Sequence, residues 1–109
     1  AFRLQNVEAM NELSIRYLEG RGVERNYEMA EALFNNIIAL DESLSEKEKA
    51  PYNLYYQFAE RYEEFAKDDN AALEAYKQGY EIEKKETKRD NKKIKAKIKA
   101  LEAKLNKKK

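Results

Sequence analysis

The sequence predicts an all-α protein of five helices, packed as antiparallel hairpins and closed by a C-terminal capping helix. Two observations predict it. Charged residues make up 39% of the 109-residue chain and apolar ones 42%, with three Gly and one Pro, a composition that favours soluble helices over sheets or disorder. Apolar residues also recur at intervals of three and four through most of the chain, the signature of one buried helix stripe. A chain of this length buries enough surface for a core without a metal or disulfide staple.

The first stripe is Leu4, Val7, Met10, Leu13, Tyr17 and Leu18, ended by Gly20 and Gly22. Asn26 then offers an N-cap to a second helix of about 14 residues. Leu33, Phe34, Ile37, Ile38 and Leu40 supply its face, with Met29, Ala30 and Ala32 beside them. The short connection makes the two helices antiparallel. Asp41 to Ser45 is a polar loop, and Ser45 with Glu48 has capping-box spacing, in which each side chain satisfies the other residue's orphan N–H. Pro51 belongs in the first turn of a third helix, where its missing donor costs nothing. Tyr52, Tyr55, Phe58, Ala59, Tyr62 and Phe65 give that helix its stripe, and Tyr56 falls off it. Asp68-Asp69-Asn70 stops it and caps a fourth helix carrying Ala72, Leu73, Tyr76, Gly79, Tyr80 and Ile82. Eleven residues without an apolar side chain follow, Glu83 to Lys93, before Ile94, Ile98, Leu101 and Leu105 define one narrow face. One continuous helix or a turn at Thr87 to Asn91 both fit; the turn, capped by Asp90 or Asn91, is favoured because the last four apolar residues bury their face only by folding back.

Charge is divided unevenly. Residues 1 to 83 hold nine basic against eighteen acidic side chains, and residues 84 to 109 hold thirteen against three, which marks a compositional boundary near Lys84. Cys and His are both absent, which excludes disulfides, Ser-His-Asp and Cys-His catalysis and Cys-bearing zinc sites. No run approaches the roughly 18 apolar residues of a membrane span, and Ala1 to Gln5 lacks the layout of a signal peptide. A cytoplasmic location is the default expectation.

Leu13 to Ala30, within a match from Ala9 to Phe34, resembles a Sel1-like repeat, whose turn reads Y-x-x-G-x-G-V-x-x-D. Here Tyr17, Gly20, Gly22 and Val23 take that pattern, Asn26 stands for the usual Asp, Ser14 for a usual Gly and Ile37-Ile38 for a usual pair of alanines. The resemblance implies a left-handed Gly20 and a Val23 that plugs the gap between two helices. Residues 55 to 79 resemble a tetratricopeptide repeat: Tyr55, Phe58, Ala59 and Tyr62 take its first helix, and Ala72, Tyr76 and Gly79 its second, with the turn one residue longer than usual. Gly79 would be the small residue that permits close helix approach. The segment from Lys84 resembles the amphipathic cap of repeat arrays. The resemblances imply one helical domain with right-handed stacking, divided into a Sel1-like hairpin (1–42), a tetratricopeptide-like hairpin (43–88) and a Lys-rich capping helix (89–109). Joining such unlike pieces points to an engineered chimera.

Three groups invite a functional reading. Tyr52, Tyr55, Tyr56 and Tyr62 on one helix offer large contact area for a peptide groove, but the spacing of Tyr55 and Tyr62 suits helix packing, with their hydroxyls reaching the surface. Glu60, Glu63, Glu64, Asp68 and Asp69 are oxygen donors for a hard cation, yet lack a Ca²⁺-loop pattern, so a solvated helix face is the simpler reading. Nothing marks the apolar pocket that a hydrolytic carboxylate pair requires. Lys92, Lys93, Lys95, Lys97, Lys99 and Lys104 could neutralise phosphates or an anionic membrane. The lack of interleaved aromatics, the single Arg89 and the acidic body weigh against a nucleic-acid site and for intramolecular attraction. The sequence therefore predicts no catalytic, cofactor-binding or metal-ligating residues and no cofactor. It predicts a monomeric scaffold without membrane or nucleic-acid partners. The alternative is a natural adaptor that binds a peptide or protein partner in a concave groove.

Overall fold

The computed structural model describes residues 2–107, with side chains from Val7 onward. All regular structure among them is helical: α1 (Phe2–Glu19), α2 (Tyr27–Leu40), α3 (Pro51–Arg61) continued by a π-helical turn (Tyr62–Ala66), α4 (Asp69–Thr87) and α5 (Lys92–Lys107). The chain divides into two compact units, residues 1–49 and 50–109.

In the first unit α1 and α2 form a hairpin. The Ser14 hydroxyl donates to the Ala30 carbonyl (3.0 Å) and the Asn26 N–H to the Tyr17 carbonyl (3.0 Å). Position 14 against 30 and 17 against 26 fixes the pair as antiparallel. Gly20 closes α1 in the left-handed region at φ 72°. Its N–H and that of Arg21 both reach the Arg16 carbonyl, at 2.7 and 3.2 Å, so two otherwise free backbone donors are satisfied at the helix end. A Cβ at Gly20 would stand 3.4 Å from the Arg25 Cβ. Gly20→Ala is therefore expected to cost roughly 1 kcal/mol or more through backbone strain. A thermal melt of the variant superimposing on the parent would remove this account of the turn.

Asn26 caps α2 by accepting from the Met29 N–H (3.1 Å). Ser45 and Glu48 close both hydrogen bonds of the capping box at 3.2 Å each, around a single turn and not a long helix. The buried line of this unit is Ser14 and Leu18 on α1 against Ala30, Phe34 and Ile38 on α2. That corrects the expected stripes. Leu13 is exposed, because the serine beside it takes the helix contact, and on α2 both Met29 (43%) and the terminal Leu40 (54%) are exposed. Leu4 lies outside the described side chains.

The second unit holds α3, α4 and α5. Pro51 stands in the first turn of α3, Asp68 caps α4 by accepting from the Ala71 N–H (3.0 Å), and Asn91 caps α5 by accepting from the Ile94 N–H (3.1 Å). The chain turns at residues 88–91, as the four-residue apolar face required. Ile94 and Leu101 are buried, with Ile98 and Leu105 half-buried. Lys77 pairs with Glu102 (3.3 Å) and Asp69 with Lys104 (3.1 Å), contacts that run α5 antiparallel to α4. The π-helical turn and α4 both end on lysines in the left-handed region, Lys67 (φ 53°) and Lys88 (φ 61°).

Gly79 sets the spacing of α3 and α4. A Cβ there would lie 2.7 Å from a Tyr56 ring carbon and 3.1 Å from the Tyr52 carbonyl oxygen, so only glycine admits this approach. The same contact overturns the placing of Tyr56 off the stripe: its ring lies over Gly79 and it is 8% exposed. Helix α3 buries a broad arc, Tyr52, Tyr56, Phe58 and Ala59, continued by Tyr62 and Ala66. Tyr55 is only half-buried and stacks edge-on against Phe58. Tyr62 packs in the stripe as its spacing predicts, at 6% exposed.

Candidate functional site

Two polar constellations stand out, both in the second unit. The first is buried. Along α4 the core line Ala72, Tyr76, Gly79 continues to Glu83 at the same spacing of four, three and four, so a carboxylate occupies a core position, 5% exposed. The Tyr56 hydroxyl donates to Glu83 Oε1 (2.6 Å) and the Asn91 side-chain amide donates to the same oxygen (2.9 Å). Thr87 donates to the Glu83 carbonyl (2.7 Å). One acidic residue thus joins α3, α4 and the cap of α5. Burying a charge is tolerable only with such donors. Beside it, the Tyr80 hydroxyl donates to Asp90 across the turn.

The second is an open cleft of about 300 Å³ lined by Glu60, Glu63, Glu64, Tyr76 and Lys97. The three glutamates share one face where α3 passes into the π-helical turn. Tyr76 is 1% exposed, and its hydroxyl is buried without a hydrogen-bond partner. The Glu63 carboxylate is near enough to act on that hydroxyl electrostatically without closing a bond of ordinary geometry. The Lys97 ammonium of α5 lies over the Tyr76 ring, 5.6 Å from its centroid, within reach of a cation–π attraction.

The acidic group read from the sequence is therefore split. Glu60, Glu63 and Glu64 line the cleft, whereas Asp68 is spent on a helix cap and Asp69 on Lys104. Among the described residues no group of three His, Cys, Asp or Glu is placed to hold a metal ion. Of the tyrosine group, Tyr52, Tyr56 and Tyr62 are core residues. Of the basic group, Lys97 lies over the Tyr76 ring, the exposed Lys104 pairs with Asp69, the exposed Lys95 reaches Asp90 at 3.8 Å, and Lys92, Lys93 and Lys99 are also exposed. No helix is long and apolar enough to cross a membrane among the described residues. Glu83 and Tyr76's free hydroxyl were missed by sequence reasoning. The first carried a signal: a lone acid continuing the apolar period of α4.

Three phenols are pushed above the ordinary tyrosine range. Burial dominates for Tyr56, reinforced by Glu83, and for Tyr76, reinforced by Glu63; at Tyr80 the bond to Asp90 is the main cause. A raised folded-state pKa stabilises fully below the unfolded value near 10, and that stability is lost as pH rises above it. In an alkaline absorbance titration Tyr56, Tyr76 and Tyr80 are expected to ionise late, Tyr56 and Tyr76 together with unfolding. Ionisation of Tyr56, Tyr76 and Tyr80 near pH 10 in a still-folded chain would contradict these environments.

No family model, curated protein or solved structure matches the chain.

Proposed function

We propose that the chain is a non-catalytic helical scaffold, assembled from a Sel1-like hairpin and a tetratricopeptide-like hairpin with a lysine-rich cap. The observation that supports it is the use made of buried polar side chains. Ser14, Tyr56, Glu83 and Asn91 all spend their hydrogen bonds on holding one helix to another or capping one, which is architecture and not chemistry. The division at residues 49 and 50 agrees with joined pieces of separate origin, as an engineered chimera would have. A peptide-array screen tests the scaffold reading: reproducible, saturable binding of a peptide at micromolar level would replace it.

The second reading is an interaction adaptor for a peptide partner. It is favoured by the cleft of Glu60, Glu63, Glu64 and Tyr76, the one polar constellation described above whose groups are not all engaged within the chain. The same array decides between the readings.

A further inference from the structure

We propose that this cleft receives the guanidinium or ammonium group of a basic peptide side chain, and that Lys97 is its resident intramolecular occupant. The proposal rests on the adaptor reading and gives its ligand a chemistry.

Charge comes first. Three carboxylates face the cleft against the single ammonium of Lys97. Glu64 also faces Arg61 on its own helix, so the uncompensated charge resides on Glu60 and Glu63. Neither enters an ion pair among the described residues.

The second observation is independent of charge. Tyr76 lines the cleft and is almost fully buried, and its hydroxyl closes no hydrogen bond of ordinary geometry, although Glu63 acts on it. An unpaired buried hydroxyl forfeits the hydrogen bonds it had in water. A cation with N–H donors would donate to that oxygen while its charge faced Glu60 and Glu63. Among the described residues no group of three His, Cys, Asp or Glu is placed to hold a bare metal ion. A planar or tetrahedral nitrogen cation, with donors spread over several directions, matches separated acceptors.

Lys97 shows how such a group sits. Its ammonium lies over the Tyr76 ring, and the residue is half-buried where it lines the cleft, so a competing cation would have to displace it. The cleft volume of about 300 Å³ is at the lower end for ligand clefts, enough for one side chain and not for a folded surface.

The test is a calorimetric titration of the full chain with a capped tetra-arginine peptide at low salt, with spermine in a parallel arm. Amide NMR shifts locate the site. Saturable binding is expected, with shifts confined to residues 60–64, 76 and 97. Glu60→Gln with Glu63→Gln should weaken it about tenfold, and Tyr76→Phe about threefold. Lys97→Gln should tighten it by about threefold, because a like charge and a competitor are removed. The control pair Glu8→Gln with Glu24→Gln, exposed acids of the first unit, should leave affinity unchanged. Melts matching the parent's show that each variant is folded. Equal weakening by the control pair, a loss of affinity in Lys97→Gln, or spermine binding without peptide binding would overturn the proposal. Peptide binding that ignores every cleft variant would also overturn it while leaving the adaptor reading intact. An array without any binder would remove the adaptor reading itself.

Discussion

Tyr56→Ala is expected to lower stability by about 4 kcal/mol. The substitution empties the space over Gly79 and takes from Glu83 one of its two side-chain donors. Cavity formation at a large aromatic accounts for most of the loss, and the weakened carboxylate adds to it. A small domain has roughly 5–15 kcal/mol in hand, so the second unit would be close to unfolding. Two companions separate the causes. Tyr56→Phe keeps the ring and loses the hydroxyl, and should cost about 1–2 kcal/mol. Tyr55→Ala, at a half-buried position one residue away, should cost clearly less than Tyr56→Ala. Denaturant unfolding measures all three, and equal losses at Tyr55 and Tyr56 would show the wrong face of α3 turned inward.

Removing residues 91–109 should have a comparable or larger effect. Ile94 and Leu101 are buried and Ile98 and Leu105 half-buried, which together represents on the order of 5 kcal/mol of apolar burial. The truncation also strips Asn91 from Glu83, leaving a core carboxylate with a single side-chain donor. Circular dichroism should show a lowered melting temperature, and light scattering a mass above that of the monomer as the uncovered face of α4 associates. An unchanged melt with a monomeric mass would mean that α5 does not hold this unit together.

Much of this architecture was legible because it depends on local rules. The caps at Asn26, Asp68 and Asn91, the left-handed Gly20 and the position of Pro51 each follow from a side chain acting on its own backbone within a few residues. The fold-back of α5 was legible for a different reason: four apolar residues at helical spacing need a surface. What failed depended on a partner helix. Tyr56 could be placed only by knowing that Gly79 lies opposite, and the burial of Ser14 over Leu13 only by knowing that the Ala30 carbonyl faces it. Glu83 was obscured because polarity was read as exposure, although its register with Tyr76 and Gly79 placed it inside. Of the cleft, the three glutamates were visible as a group. Their meeting with Tyr76 and Lys97 was not, since it requires α3, α4 and α5 together.

The left-handed lysines at positions 67 and 88 have a consequence for how the chain could be improved. An L side chain in that region costs roughly 1 kcal/mol or more relative to glycine, and neither lysine is buried. The fold therefore carries slack at these two surface positions. Lys67→Gly and Lys88→Gly should each raise the melting temperature of the second unit by several degrees. Evolution or a designer could spend that gain on a more demanding interior without altering a single core contact.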